Sequence, residues 1–164
     1  MEYEVKMLEE KSKKIIYLIL LITWMIAVFI FSNENGSQSQ ETSRNVTKVI
    51  VQILTYNQEI TEAEEIILIE NTDYIIRKLA HFSIYALGGI LIYNYINTYD
   101  LNAKRKIIIS LLIGVIYAIF DEFHQYFVAD RSAQIFDVCI DSSGAIIGVI
   151  FIYLINKIKK PLSN

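Results

Sequence analysis

The chain has 164 residues, 54% of them hydrophobic, with a mean hydropathy of +0.38, too apolar for most soluble domains of this size. The net charge of −3, without a polybasic face or aromatic–basic interleaving, argues against a nucleic-acid partner. Cys139 stands alone, which excludes an intrachain disulfide and a cysteine-based metal site; among Ile and Val it reads as a buried small apolar residue.

Apolar runs bounded by charge predict four membrane-crossing helices at about 15–31, 74–96, 107–128 and 135–156, each able to span a hydrocarbon core of about 30 Å. The first run follows Lys11, Lys13 and Lys14 and is longer than an ordinary signal-peptide core. Phe31-Ser32-Asn33 after it lacks a small-x-small cleavage pattern, so the run reads as a retained first span. Segment 32–73 reads as two short amphipathic helices. Val46, Val49, Ile50, Ile53 and Leu54 make one apolar stripe, and Thr61 with Glu64 forms a capping box before Ile66–Ile69. Such a hairpin lies on the outer membrane face or roofs a site beneath it. The single proline, Pro161, marks the tail.

Basic residues set the orientation. Lys6, Lys11, Lys13 and Lys14 precede the first span, Lys104, Arg105 and Lys106 separate the second from the third, and Lys157, Lys159 and Lys160 follow the fourth. Segment 32–73 instead carries eight acids against Arg44 and Lys48. The expected fold is therefore all-α: a four-transmembrane-helix bundle with cytoplasmic N- and C-termini and the amphipathic hairpin outside.

In that topology one set of polar residues falls in the outer half of the bilayer. The second span opens with Arg77, Lys78 and His81, the third closes with Asp121, Glu122, His124 and Gln125, and the fourth opens with Asp137 and Asp141. Helical rise places His81 and Asp121 about 10 Å, and Asp141 about 9 Å, inside their spans. A charge at a helix centre costs about 2.5–3.5 kcal/mol by insertion scales, so four uncompensated carboxylates would cost on the order of 10 kcal/mol. A polar site accounts for such a cluster. Gly88 on the second span and Gly144, Ala145 and Gly148 on the fourth provide small surfaces for close helix packing, which would gather these side chains into one pocket.

Histidine with several carboxylates suits general acid/base chemistry, and oxygen-rich clusters also suit a divalent cation such as Ca²⁺ or Mg²⁺. Asp121, Glu122 and Asp141 are the candidate metal ligands, and Arg77, Lys78 and Arg131 at the rim suit a phosphate. An outward-facing, membrane-embedded phosphate site implies a lipid-linked substrate. Structural alternatives stand beside these roles: an interfacial Arg131–Asp137 pair, His124 and Gln125 as interface residues, and a buried Lys78–Asp141 pair. Tyr85 and Tyr117 are weaker site candidates, since most of the eleven tyrosines suit an aromatic belt.

These residues also resemble the signature of the VanZ-like membrane proteins. The resemblance rests on Arg77-Lys78-Leu79-Ala80-His81 through Gly88, on Asp121-Glu122-Phe123-His124-Gln125, on Arg131-Ser132, and on Asp137 with Asp141 and Gly144-Ala145. Phe31-Ser32 and the Ser/Gln-rich stretch after it resemble the family's motif following the first helix. Two positions depart: Ala129-Asp130 stands where the family usually has Pro-Gly, and relatives often have Asn at position 141. The resemblance implies a four-helix protein of the bacterial inner membrane, in a family named for a member linked to reduced teicoplanin susceptibility. It is similar in polar pattern to enzymes that exchange or hydrolyse phospholipid head groups.

The expected function is thus an envelope enzyme acting on a phospholipid or polyprenyl-linked precursor at the outer leaflet. His81 would be the acid/base. Asp121, Glu122 and Asp141 would position a metal or activate the attacking hydroxyl, with His124 in the same catalytic set. Arg77 and Arg131 would hold phosphate, with Lys78, Tyr85, Gln125 and Asp137 lining the binding site. One rival is a non-catalytic protein that binds or shields a lipid precursor or drug. Another is a proton or cation pathway, against which the apolar inner halves Ile107–Ile113 and Ile146–Leu154 argue.

Overall fold

The computed structural model describes residues 2–159; Lys160 and Pro161 lie outside the described residues. In chain order the helices are α1 (Glu2–Ser32), α2 (Gly36–Leu54), α3 (Glu62–Asn97), α4 (Ala103–Gln125) and α5 (Ile135–Lys159). Among the described residues there is no strand. Four of the helices, α1, α3, α4 and α5, are long and apolar enough to cross a membrane.

Two boundaries differ from the sequence expectation for physical reasons. The lysine-rich lead-in to the first span is itself helical, so α1 begins at Glu2. The second arm of the hairpin is no separate helix: it is the N-terminal part of α3. Both halves of the Thr61–Glu64 capping box form and start the helix there. No glycine or proline then interrupts the chain before Gly88, so the helix runs for 36 residues. At about 54 Å it is far longer than a hydrocarbon core of about 30 Å requires.

The helix α2 runs antiparallel to the first part of α3. Gln52 Nε2 donates to Glu65 (3.0 Å), Arg44 pairs with Glu70 (3.5 Å), and Thr47 Oγ1 and Ser43 Oγ donate to Asp73. Thr47 and Val51 are buried, whereas Val46, Val49, Ile53 and Leu54 of the apolar stripe are exposed. Thr47 and the other polar partners of α2 thus meet α3, while most of its apolar stripe is exposed.

The parallel pair α3 and α5 makes the closest contact in the bundle, backbone against backbone. A Cβ added at Gly144 would stand 2.3 Å from the Phe82 carbonyl oxygen, and one at Gly148 would stand 2.0 Å from that of Ala86. One added at Gly89 would stand 2.2 Å from the Ala145 carbonyl oxygen. Lipid supplies no hydrophobic drive between helices, so small residues that let backbones touch provide the attraction. The register this fixes sets Lys78 level with Asp137 and His81 level with Asp141.

The first helix docks through Trp24, whose indole N–H donates to the Ile84 carbonyl (2.9 Å) while its ring fills the space over Gly88. Tyr117 on α4 donates to the Met25 carbonyl at 2.8 Å. Lys14 sits 3.9 Å above the Tyr99 ring and Lys106 binds Asn97, so the basic segments gather at one end of the bundle. The polar cluster lies at the other. Cys139 is exposed on α5, contrary to the buried reading, because the neighbouring positions Asp141 and Gly144 form the face turned to α3.

Candidate active site

Close packing of α3 on α5 puts His81 directly against Asp141. The Nδ1–Oδ1 distance is 3.5 Å, charge-pair range without the alignment of a hydrogen bond. Asp141 is fully buried, and neither of its oxygens has a hydrogen-bond donor among the described residues. A carboxylate isolated in this way is costly unless a polar partner lies beside it, and the Nδ1 side of the His81 ring is the partner that faces it. Since Asp141 faces Nδ1, Nε2 is left for a ligand.

On α4, Asp121 is held from two sides. The hydroxyl of Tyr85 donates to Oδ2 at 2.8 Å and the Gln125 amide donates to the same oxygen at 3.2 Å. Tyr85 is 1% exposed and acts as a rigid bridge from α3 to α4. Lys78 forms an ion pair with Asp137, and Arg131 Nη2 donates to the Phe31 carbonyl at 3.2 Å. This replaces both pairings weighed from sequence, Arg131–Asp137 and Lys78–Asp141. The α3–α5 register decides it, since Asp137 is one turn nearer the helix start than Asp141. Burial lowers the Arg131 pKa from its ordinary value, while Asp121, Glu34 and Glu122 act to raise it, and the guanidinium stays a cation.

Lys78→Met is expected to destabilise the protein by about 2 kcal/mol, below the cost of breaking a fully buried pair, because it strands the Asp137 charge. The double variant Lys78→Met/Asp137→Leu should recover most of the loss. Thermal unfolding in detergent checks this; an additive double variant would show that the pair contributes nothing.

Two expected catalytic residues stand apart. Glu122 Oε1 accepts from the Gln134 backbone N–H at 2.6 Å and so fastens the start of α5 to the end of α4. His124 stacks on Phe29 with ring centroids 4.6 Å apart. Neither lines the two cavities that open beside His81.

Two adjoining cavities open beside His81. The first, about 260 Å³, has apolar walls of Val28, Phe31, Val46, Ile76, Ala80 and Ile84, with Tyr85 and Asp121 also lining it. The second, about 350 Å³, is polar and is lined by Lys78, Asp137, Gln134, Ser132 and the start of α2. Ser39, Arg77, His81, Gln125 and Arg131 belong to both and mark the junction.

A family model described as VanZ/LLP1 matches residues 17–156. The chain belongs to the VanZ/LLP1 family. No curated protein and no solved structure matches it.

The family assignment joins the apolar spans to make this VanZ/LLP1 chain a multi-pass membrane protein. Ala129-Asp130, which stands where the resemblance to VanZ-like proteins implies Pro-Gly, lies in the turn between α4 and α5. Asp130 has φ 58°, the left-handed conformation that glycine adopts freely and that Asp tolerates better than most residues. The turn must take this shape because α2 docks on it. Gly36 N–H donates to the Ala129 carbonyl at 3.1 Å, and a Cβ at Gly36 would stand 1.9 Å from the Asp130 carbonyl oxygen.

The expected cation ligands do not converge. Asp121 is engaged by Tyr85 and Gln125, Glu122 by the Gln134 backbone, and Asp141 faces His81. Among the described residues no three His, Cys, Asp or Glu side chains form a metal-holding group. The donor set does not fit Ca²⁺ or Mg²⁺, which take about six or more oxygens. Sequence reasoning missed the hydroxyl-bearing wall formed by Ser32, Ser39, Thr42 and Ser43. The only signal for it was the Phe31-Ser32 motif and the polar stretch that follows.

Proposed function

We infer that this protein is a cell-envelope enzyme acting on a phosphate-linked lipid head group at the outer leaflet. The substrate is a phospholipid or a polyprenyl-linked cell-wall precursor. The observation that carries this reading is the junction of an apolar with a polar cavity, with two guanidinium groups and a histidine on the boundary. A lipid phosphate is the chemical group that lies between a chain and a head group. The apolar cavity takes the start of the chain, the polar cavity takes the head group, and Arg77 with Arg131 takes the phosphate oxygens.

In the reaction, Nε2 of His81 accepts the proton of an attacking hydroxyl as its oxygen bonds to phosphorus. The same proton passes to the leaving oxygen as the old P–O ester bond breaks. Asp141 holds the ring and balances its charge, the role of the carboxylate in Asp–His pairs elsewhere. The outer-leaflet placement is supported by the lysine-rich segments, which gather at the opposite end of the bundle. Action on a cell-wall precursor is the route by which such a protein would alter teicoplanin susceptibility.

A cation pathway accounts less well for the arrangement. The cavity at the basic end, about 210 Å³ and lined by Tyr93, Lys106 and Lys157, shares no residue with the two site cavities. Between them lies a core of Ile92, Ala118, Ala145 and Val149.

The test is head-group release or exchange by purified protein in mixed micelles with defined phospholipids and an undecaprenyl pyrophosphate. Arg77→Gln is expected to raise KM by about tenfold, the worth of one charge-assisted hydrogen bond. Tight lipid binding without turnover would favour a non-catalytic shield, and neither binding nor turnover would end the lipid reading.

A further inference from the structure

Ser32 is the last residue of α1 and is 3% exposed, yet its hydroxyl has no hydrogen-bond partner among the described residues. That is unusual for a helical hydroxyl, which normally bonds back to the carbonyl one turn earlier. Within this chain Thr47, Thr55, Ser110 and Ser143 all do so, to Ser43, Val51, Lys106 and Cys139, at 2.6–3.0 Å. Leaving a buried hydroxyl unpaired costs stability, because its desolvation is not repaid. Ser142 is also unpaired but lines neither site cavity, whereas Ser32 lines the first.

Its surroundings indicate what it is for. The carbonyl of the preceding residue, Phe31, accepts from Arg131, so the guanidinium is tied to the end of α1 where the hydroxyl sits. Arg77 and His81 line the same cavity. Of the two carboxylates there, Asp121 is already engaged by Tyr85 and Gln125, and Glu34 sits at the half-exposed edge. We propose that Ser32 is a ligand-binding residue whose hydroxyl donates to a non-bridging oxygen of the phosphate held by Arg77 and Arg131. The proposal rests on the lipid-phosphate reading above and adds α1 to the site as its third phosphate-binding arm. It assigns the Phe31-Ser32 motif a role in recognition, distinct from proton transfer.

The test compares full-length wild type, Ser32→Ala, Ser32→Cys and Arg77→Ala in detergent. Thermal unfolding is recorded alone, with dioctanoyl phosphatidylglycerol and with inorganic phosphate. Without ligand, Ser32→Ala should melt at or above the wild-type temperature, since it removes an unpaired buried hydroxyl. With the lipid, its affinity should fall about tenfold, and Ser32→Cys, a weak donor, should fall between. Wild type stabilised as strongly by inorganic phosphate as by the lipid, with an equal loss in Ser32→Ala, also supports the contact and names free phosphate as the ligand. A lower melting temperature of Ser32→Ala without ligand would make the hydroxyl structural and overturn the proposal. Undiminished lipid affinity in Ser32→Ala, with affinity lost in Arg77→Ala, would overturn it while leaving the lipid reading intact. No ligand-dependent stabilisation of the wild type would overturn both.

Discussion

His81→Ala is expected to lower lipid turnover by about 10²–10⁴-fold, the usual worth of a general acid/base, with little change in membrane insertion or fold. The imidazole is half-exposed between the two cavities, and its loss leaves the apolar walls of the first in place. Asp141→Asn should lose less, because the amide keeps the shape of the contact and removes only the charge that balances the ring. The ordering distinguishes a chemical role for His81 from mere packing. Glu122→Gln should retain most turnover, since an amide oxygen still accepts from the Gln134 N–H. Turnover by His81→Ala within tenfold of wild type would remove His81 from the chemistry.

The second large effect is expected far from any charge. Gly148→Ala would place a methyl group 2.0 Å from the Ala86 carbonyl oxygen, which is backbone and has no rotamer by which to move aside. The helices α3 and α5 must separate, and overpacking of this kind costs about 1–3 kcal/mol. Because the same contact sets His81 against Asp141, turnover should fall together with stability. Gly88→Ala provides the contrast: there the new methyl would meet the Trp24 ring, a side chain at the α1 interface, and the α3–α5 pair keeps its register. Unfolding in detergent together with turnover measures both effects. A Gly148→Ala protein with wild-type stability and activity would show that the helix contact does not organise the site.

The four spans were legible because the cost of exposing backbone and charge to lipid acts locally, on each run of residues in turn. The same holds for the Thr61–Glu64 capping box, whose two bonds lie within four residues. His81 facing Asp141 was also within reach, since the glycines on the second and fourth spans announced which faces would touch. What escaped depends on register and on loops. Whether Lys78 meets Asp137 or Asp141 turns on a single helical turn between two separate helices. Glu122 reads as catalytic from its depth, yet it fastens the Gln134 backbone, a partner that only the shape of the 126–134 turn brings near. The continuity of α3 was missed because the change from polar to apolar composition near Asp73 looked like a helix boundary. Composition marks where a helix enters lipid, whereas only caps and breakers mark where it begins. Ser32 was visible as part of a motif, but its lack of a partner could be seen only once its neighbours were placed.

Whether this membrane protein changes lipid head groups at His81 can be read by lipid mass spectrometry. Membranes from cells overexpressing wild type or His81→Ala at equal protein levels would be compared. A head-group change, in phospholipids or in polyprenyl-linked precursors, is expected with wild type and not with the variant. Identical lipid profiles from the two, with both proteins inserted, would contradict it.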